Sequence, residues 1–451
     1  MTTLHARQAL LPGGWARDVR VRIEAGRVAE VAPGAAPEGA RVGTLLPAPA
    51  DVHSHAFQRA MAGRTERAGP PGEAGSFWTW RREMFRFLQR LTPKDVEAVA
   101  ALAQVEMLEA GYAAVAEFHY LHHAPGGAPY DDPAEMSARI AAAAERTGIG
   151  LTLLPAIYRQ GGCDGRPLAP GQDRFGTDAD GFARIVEGAR RALAPLPFAR
   201  LGVAPHSLRA VPPAALGEAL ALAPEGPVHM HLAEQAAEVE EVRAALGARP
   251  VEWLLANAEV DARWCLIHCT QMAAEETAAL AATGAVAGLC PITEANLGDG
   301  IFEGARFLAA GGRVAVGTDS NVAIDLAGEL RALEYAQRLR DRSRAALAPP
   351  GASVGRTLFD GALAGGALAA GRDAGGIEAG RVADLLALDG PRAALFDTEG
   401  DAALDAWVFA GGAGWVSDVW SGGRRVVREG RHVARGTVEA AYRASMRRWA
   451  A

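Results

Sequence analysis

Between about Asp18 and Leu46 apolar and charged positions alternate, Val19, Val21 and Ile23 standing against Asp18, Arg20 and Arg22. Such a period of two marks strands with one buried face. Comparable segments return near the C-terminus at Ala383 to Leu388, at Ala406-Trp407-Val408-Phe409 and from Val416 to Val427. β-like segments at both ends predict one small β-sandwich-like domain built from both termini, with a final helix from about Val438 to Trp449. The middle of the chain has a different rhythm, short apolar runs alternating with helical stretches such as Pro93 to Ala110, Asp180 to Leu193 and Ala236 to Leu246. Strand-then-helix repetition is the pattern of a parallel α/β barrel. Eight strands are expected, ending near His53-Ser54-His55, Glu117-Phe118-His119, Ala156-Ile157-Tyr158, Pro205-His206-Ser207, His229-Met230-His231, Ile267-His268-Cys269, Leu289-Cys290-Pro291 and Gly317-Thr318-Asp319. The Gly- and Pro-rich region from Gly63 to Trp80 reads as a long loop over the first strand, a common cover for an active site.

The predicted fold class is therefore α/β, a (β/α)8 TIM-like barrel carrying a terminal β domain. Residues 1–47 and 376–451 belong to the small domain and 48–375 to the barrel. A chain of 451 residues, 49% hydrophobic, has the length and the core for this plan. No apolar run reaches the roughly 20 residues of a membrane span. Met1 to Ala16 lacks a basic-then-apolar leader pattern. Cys163, Cys265, Cys269 and Cys290 are irregularly spaced and read as buried free thiols, so a cytoplasmic location is expected. A formal charge of −7 argues against a nucleic-acid surface.

Strand C-termini share one face of a closed barrel, and chemistry sits there. His53 and His55, two apart, point to the same side. With His231 and Asp319 at other strand ends they make an N/O set suited to zinc, one ion per subunit, though iron or another divalent metal also suits such ligands. Separately hydrogen-bonded histidines and a helix-capping Asp319 are the plainer alternative for each residue alone. Glu234, three residues after His231, is placed to carry protons to and from a bound water and a leaving nitrogen. It also suits the first turn of the Ala236 helix, where the dipole favours an acid. His268, at the end of an apolar strand, is either a satisfied core residue or a group that orients water. Lys94 is the only lysine, and it lies in Thr92-Pro93-Lys94-Asp95, a helix start. No strand end offers a lysine to be carboxylated as a bridge between two metals, so a single metal is expected.

The order HxH, then HxxE, then His, then Asp resembles the amidohydrolase superfamily, in its mononuclear deaminase branch, over essentially the whole chain. Gly376-Ile377-Glu378-Ala379-Gly380-Arg381-Val382-Ala383-Asp384-Leu385 is similar to that superfamily's return into its flanking domain. Longer strings narrow the resemblance. His53 to Gly63 (HSHAFQRAMAG), Phe77-Trp78-Thr79-Trp80-Arg81 and Glu117-Phe118-His119-Tyr120-Leu121-His122-His123 resemble the formimidoylglutamate deiminases of histidine breakdown. That resemblance implies hydrolysis of N-formimino-L-glutamate, a small dicarboxylate, to N-formyl-L-glutamate and ammonia. A zinc-activated water would attack the formimino carbon. It implies His53, His55, His231 and Asp319 as metal ligands, Glu234 and His268 as the acid/base pair with Asp319 assisting, and Gln58, Tyr120, His206 and Arg209 as substrate-binding residues. A homodimer is also implied.

A dicarboxylate needs cationic partners, and Arg209 offers a bidentate fork; Arg59 and Arg81 are rivals for that part. His119, His122 and His123 suggest a second metal site but are read as shaping their loop. Trp78 and Trp80 serve as a lid or as packing. Two other functions stand against the main one: a deaminase of guanine or another purine or pterin with the same metal site, and a catalytically dead barrel serving as a binding module. Retention of Glu234, His268 and all four ligands speaks against the second.

Overall fold

Four strands open the chain: β1 (Thr2–Leu11), β2 (Gly14–Glu24), β3 (Arg27–Ala32) and β4 (Ala40–Pro47). Nine more follow between helices: β5 (Ala50–Ser54), β6 (Ala114–His119), β7 (Gly150–Ile157), β8 (Arg200–Leu201), β9 (Ala204–Pro205), β10 (Val228–Leu232), β11 (Trp264–His268), β12 (Val286–Leu289) and β13 (Arg313–Val316). The last four are β14 (Leu385–Leu388), β15 (Val416–Ser421), β16 (Arg424–Arg428) and β17 (Arg431–His432). This is a computed structural model, and it describes residues 1–66, 77–389 and 398–450.

The two ends of the chain make one eight-stranded sheet in the order β17-β16-β15-β14-β4-β1-β2-β3. Its apolar side chains, Leu4, Val19, Val21, Val42, Leu385 and Trp420 among them, form a core of their own. The sheet reaches that state by bending back on itself: β3 bridges to Val382, and a Cβ on Gly423 would lie 2.8 Å from Ile23 Cγ2. The small domain is thus sandwich-like although its strands are continuous. β1 was not foreseen, and the reason is its place in the sheet. It lies between β2 and β4 with both faces largely covered, so the alternation that reveals a half-buried strand is missing.

Ala406-Trp407-Val408-Phe409 is a correction. It belongs to a helix, Asp401–Ala410, whose buried residues Ala403, Leu404, Trp407 and Val408 follow the three- and four-residue spacing of one helical face. Four apolar residues in a row do not separate a strand from a buried helix turn. The segment Gly63 to Trp80 is likewise not loop to its end, because the helix Phe77–Leu88 starts within it. Residues 67–76, and the side chain of Trp78, lie outside the described residues.

The remaining strands form the barrel in two parallel arcs, one running from β5 to β8 with β9 on β7, the other from β10 to β13. Val203 bridges to Val228 and Ser54 to Asp319, and these two joints close the ring. At the second joint Asp319 N–H donates to His53 O at 2.8 Å and His55 N–H to Asp319 O at 2.9 Å. Gly317 makes that approach feasible, since a Cβ there would stand 2.6 Å from His53 N. Asp51 ties the same seam: its carboxylate accepts from Thr318 N and Oγ1 and from His53 N, at 2.6–3.1 Å. Val52, Cys265, Ile267, Val286, Cys290 and Ala315 fill part of the interior. All four cysteines are buried and free. Helices match their sequence signals closely: Ala179–Leu193 and Ala236–Leu246 form, and Pro93–Glu109 begins with Thr92 and Asp95 in a reciprocal capping box. Among the described residues no helix is long and apolar enough to cross a membrane.

Candidate active site

Closing the barrel at β5 and β13 brings His53, His55 and Asp319 together, and β10 adds His231 from across the ring. His231 Nε2 lies 3.1 Å from His53 Nε2 and 3.3 Å from His55 Nε2. Asp319 Oδ1 is 3.3 Å from His53 Nε2 and 3.4 Å from His55 Nε2. All four side chains are buried. The far nitrogens explain the arrangement: His55 Nδ1 donates to Phe118 O at 2.9 Å and His231 Nδ1 to His206 O at 3.0 Å. Each carbonyl fixes a proton on Nδ1 and leaves Nε2 as a bare lone pair. Lone pairs facing one another in a buried space repel unless a cation sits among them, so this donor set fits a metal ion. Burial also disfavours imidazolium, pushing His53 down to about 3. His53, His55 and His231 form one metal-competent grouping, and His53, His268 and Asp319 form a second that shares His53 with it.

His268 sits at the end of β11 with φ at +71°, and Asp319 has φ at +47°. Left-handed backbone at two non-glycine residues beside one site is local strain, held by the surrounding barrel. Nδ1 of His268 donates to Glu294 Oε1 at 3.2 Å, and its Nε2 faces Glu234 Oε1 at 3.9 Å. Burial works against a charge on His268, but Glu234, Glu294 and Asp319 outweigh it and raise the group to about 10. Glu234 moves upward as well, chiefly through burial. Its backbone N–H donates to the buried Glu238 at 2.9 Å, which fixes the turn after β10. Glu294 was not singled out in the sequence. It lies on a short helix, Pro291–Leu297, and only its contact with His268 reveals it.

A cavity opens beside this cluster, lined by His55, His231, Glu234, His268 and Asp319 at one end. Gln58, Tyr120, His206 and Arg209 line it too, so every residue proposed for substrate is present. Gln58 Nε2 donates to Tyr120 Oη at 3.0 Å. Arg209 Nη2 stands 3.9 Å from Glu234 Oε2, and its buried Nε has no hydrogen-bond partner among the described residues. The helix Phe77–Leu88 adds Trp80, Arg81, Met84 and Phe85 to the wall, and Tyr158, Phe175 and Leu297 complete it. Of the rival arginines, Arg81 is in the cavity. Arg59 is elsewhere, bound to Glu106 at 2.7 Å and to the carbonyls of Asn321 and Val322. His122 and His123 donate to Ala156 O and Gly176 O at 2.8 and 2.7 Å. With His119 they form no metal-competent group among the described residues. Lys94 is exposed at its helix start, away from every strand end.

Residues 44–426 match the amidohydrolase family model, and residues 1–41 match the model described as formimidoylglutamate deiminase HutF, N-terminal domain. The formimidoylglutamate deiminase of Pseudomonas aeruginosa is 51% identical over 439 residues, 96% of each chain. A crystal structure of an amidohydrolase from Brucella melitensis superposes with a TM-score of 0.96 at 48% identity, covering 100% of both chains. An adenosine deaminase from Xanthomonas campestris, solved with bound zinc, shares the fold with a TM-score of 0.82 at 21% identity, covering 99% of this chain and 98% of its own. The chain belongs to the amidohydrolase family and, within it, to the formimidoylglutamate deiminases.

Proposed function

We propose that the protein hydrolyses N-formimino-L-glutamate to N-formyl-L-glutamate and ammonia, with one zinc ion held by His53, His55, His231 and Asp319. The observation that carries the substrate is Arg209. A buried guanidinium whose Nε lacks a partner, in the wall of a cavity that ends at a metal-competent cluster, calls for an anionic ligand reaching that cluster. Zinc, when bound, supplies a Lewis acid and a water deprotonated near neutral pH. The chain's own groups do the rest. His268, held charged among its carboxylate neighbours and with Nδ1 engaged by Glu294, directs the N–H of Nε2 at the reacting water and orients it, and Asp319 takes the water's proton. Glu234, raised by burial, holds a proton and delivers it to the imino nitrogen as oxygen adds to the carbon; of the two protons lost by the water, one then goes to that nitrogen and the other back to Glu234, so that the C–N bond breaks and the nitrogen leaves as neutral NH3. Gln58 and Tyr120 hold the polar backbone of the substrate, and Arg209 pairs with a carboxylate. The absence of a strand-end lysine supports one metal rather than two.

Glu234→Gln tests the assignment. Turnover of formiminoglutamate should fall by about a thousandfold, the range of general acid–base catalysis, while zinc content stays at the wild-type level. Zinc loss in this variant would make Glu234 a ligand and overturn its role.

A further inference from the structure

We propose that Tyr158, at the end of the third barrel strand, binds the substrate as a proton donor to a carboxylate, with Gln172 as the residue that aims it. The argument is a hydrogen-bond count. Gln172 Oε1 accepts from Ala169 N–H at 2.8 Å, which fixes the amide so that Nε2 is the end facing Tyr158. Nε2 then donates to Tyr158 Oη at 2.6 Å. Arg81, a guanidinium with donors only, donates to the same oxygen at 3.2 Å. Both lone pairs of the phenol are occupied, so its own proton has to go to a further acceptor. No described residue accepts it, and the hydroxyl belongs to the wall of the cavity. A buried donor without a partner is costly, and a ligand oxygen is the partner the geometry leaves.

The class of ligand follows from the neighbours. Arg81 and Arg209 line the same cavity, so the acceptor is an anionic oxygen. His206 lies between Tyr158 and the ligand His231, its ring centroid 4.6 Å from one and 4.8 Å from the other. Tyr158 therefore stands one ring removed from His231 and the metal-competent cluster. There it meets a carboxylate of an extended substrate rather than the group that is hydrolysed. The inference rests on the dicarboxylate reading above and adds a residue that distinguishes such a substrate from an uncharged base.

Tyr158→Phe in the zinc-loaded protein is the test, read by calorimetric binding of N-formyl-L-glutamate and by turnover of formiminoglutamate. Loss of one hydrogen bond to a charged group predicts a Kd and a KM raised about tenfold or more, with kcat within about threefold and zinc content unchanged. Gln172→Met, which frees the hydroxyl to turn, should weaken binding in the wild-type background and add nothing in the Tyr158→Phe background. Equal Kd for wild type and Tyr158→Phe would overturn the proposal, as would additive effects of the two variants. If the wild type bound the dicarboxylate through Tyr158 without turning over formiminoglutamate, the substrate assignment would fail and the binding role would stand.

Discussion

Three histidines at the catalytic end are aimed by a contact behind the ring: Phe118 O behind His55, His206 O behind His231, Glu294 behind His268. At His55 and His231 such contacts fix the proton on Nδ1 and turn Nε2 toward the cluster as a donor atom. Among the described residues no hydrogen bond anchors Arg209 Nε, and the proposed function gives that donor to a carboxylate of the substrate. Arg209→Ala should raise KM for formiminoglutamate about tenfold or more with metal content unchanged, as measured by steady-state kinetics. An unchanged KM would remove it from the substrate's path. That His53, His55, His231, Asp319 and Glu234 stand at strand ends on one face was legible in the sequence because strand ends advertise themselves: an apolar run stops and a polar residue appears. Glu294 and Gln172 were not legible. Their parts depend on contacts with residues 26 and 14 positions away in the chain, and nothing local in Pro291–Leu297 or near Gln172 marks them.

Among the elements, the clearest sequence signals were those with a physical start or stop. Thr92-Pro93-Lys94-Asp95 predicted a helix start, and the structure gives the capping box a second use. Asp95 also accepts from Ser445 and Arg448 of the helix Arg435–Ala450, so one carboxylate joins the start of one helix to the end of another. Burial opposes its ionisation, but the hydrogen bonds from Ser445 and Thr92 and the charge of Arg448 prevail and hold it below the ordinary carboxylate value. A depressed folded pKa stabilises above the unfolded pKa and loses that contribution as pH falls through the folded value. Asp95→Asn should therefore cost about 1 kcal/mol at pH 7, and the deficit should shrink below about pH 4. Urea unfolding midpoints at pH 7 and near pH 3 check this, and a deficit independent of pH would contradict it. Where such signals were absent the reading failed, as in Asp401–Ala410, where only packing distinguishes the helix from a strand.

Across the whole molecule the terminal sheet and the barrel are locked by a buried ion pair. Arg372 donates from Nη2 and Nε to Asp384 Oδ2 at 2.7 and 3.1 Å, while Asp384 Oδ1 accepts from Gly422 N at 2.8 Å. Arg372 Nη1 reaches Phe198 O at 3.0 Å on the barrel side. Removing one partner strands the other charge in the interior, so Asp384→Ala should destabilise by about 3–5 kcal/mol in thermal unfolding. A shift within experimental error would mean that the lock is dispensable. The barrel could be foreseen from its repeated strand-then-helix rhythm, and the terminal domain from like segments at both ends. The curling of one continuous sheet over its own core was not visible, because it depends on pairings between β4 and β14 that lie some 340 residues apart in the chain. The most direct measurement is ammonia release by purified, zinc-analysed protein given N-formimino-L-glutamate or guanine in parallel. One zinc per chain with turnover of formiminoglutamate and none of guanine is the predicted result; turnover of guanine, or of neither with zinc in place, would contradict it.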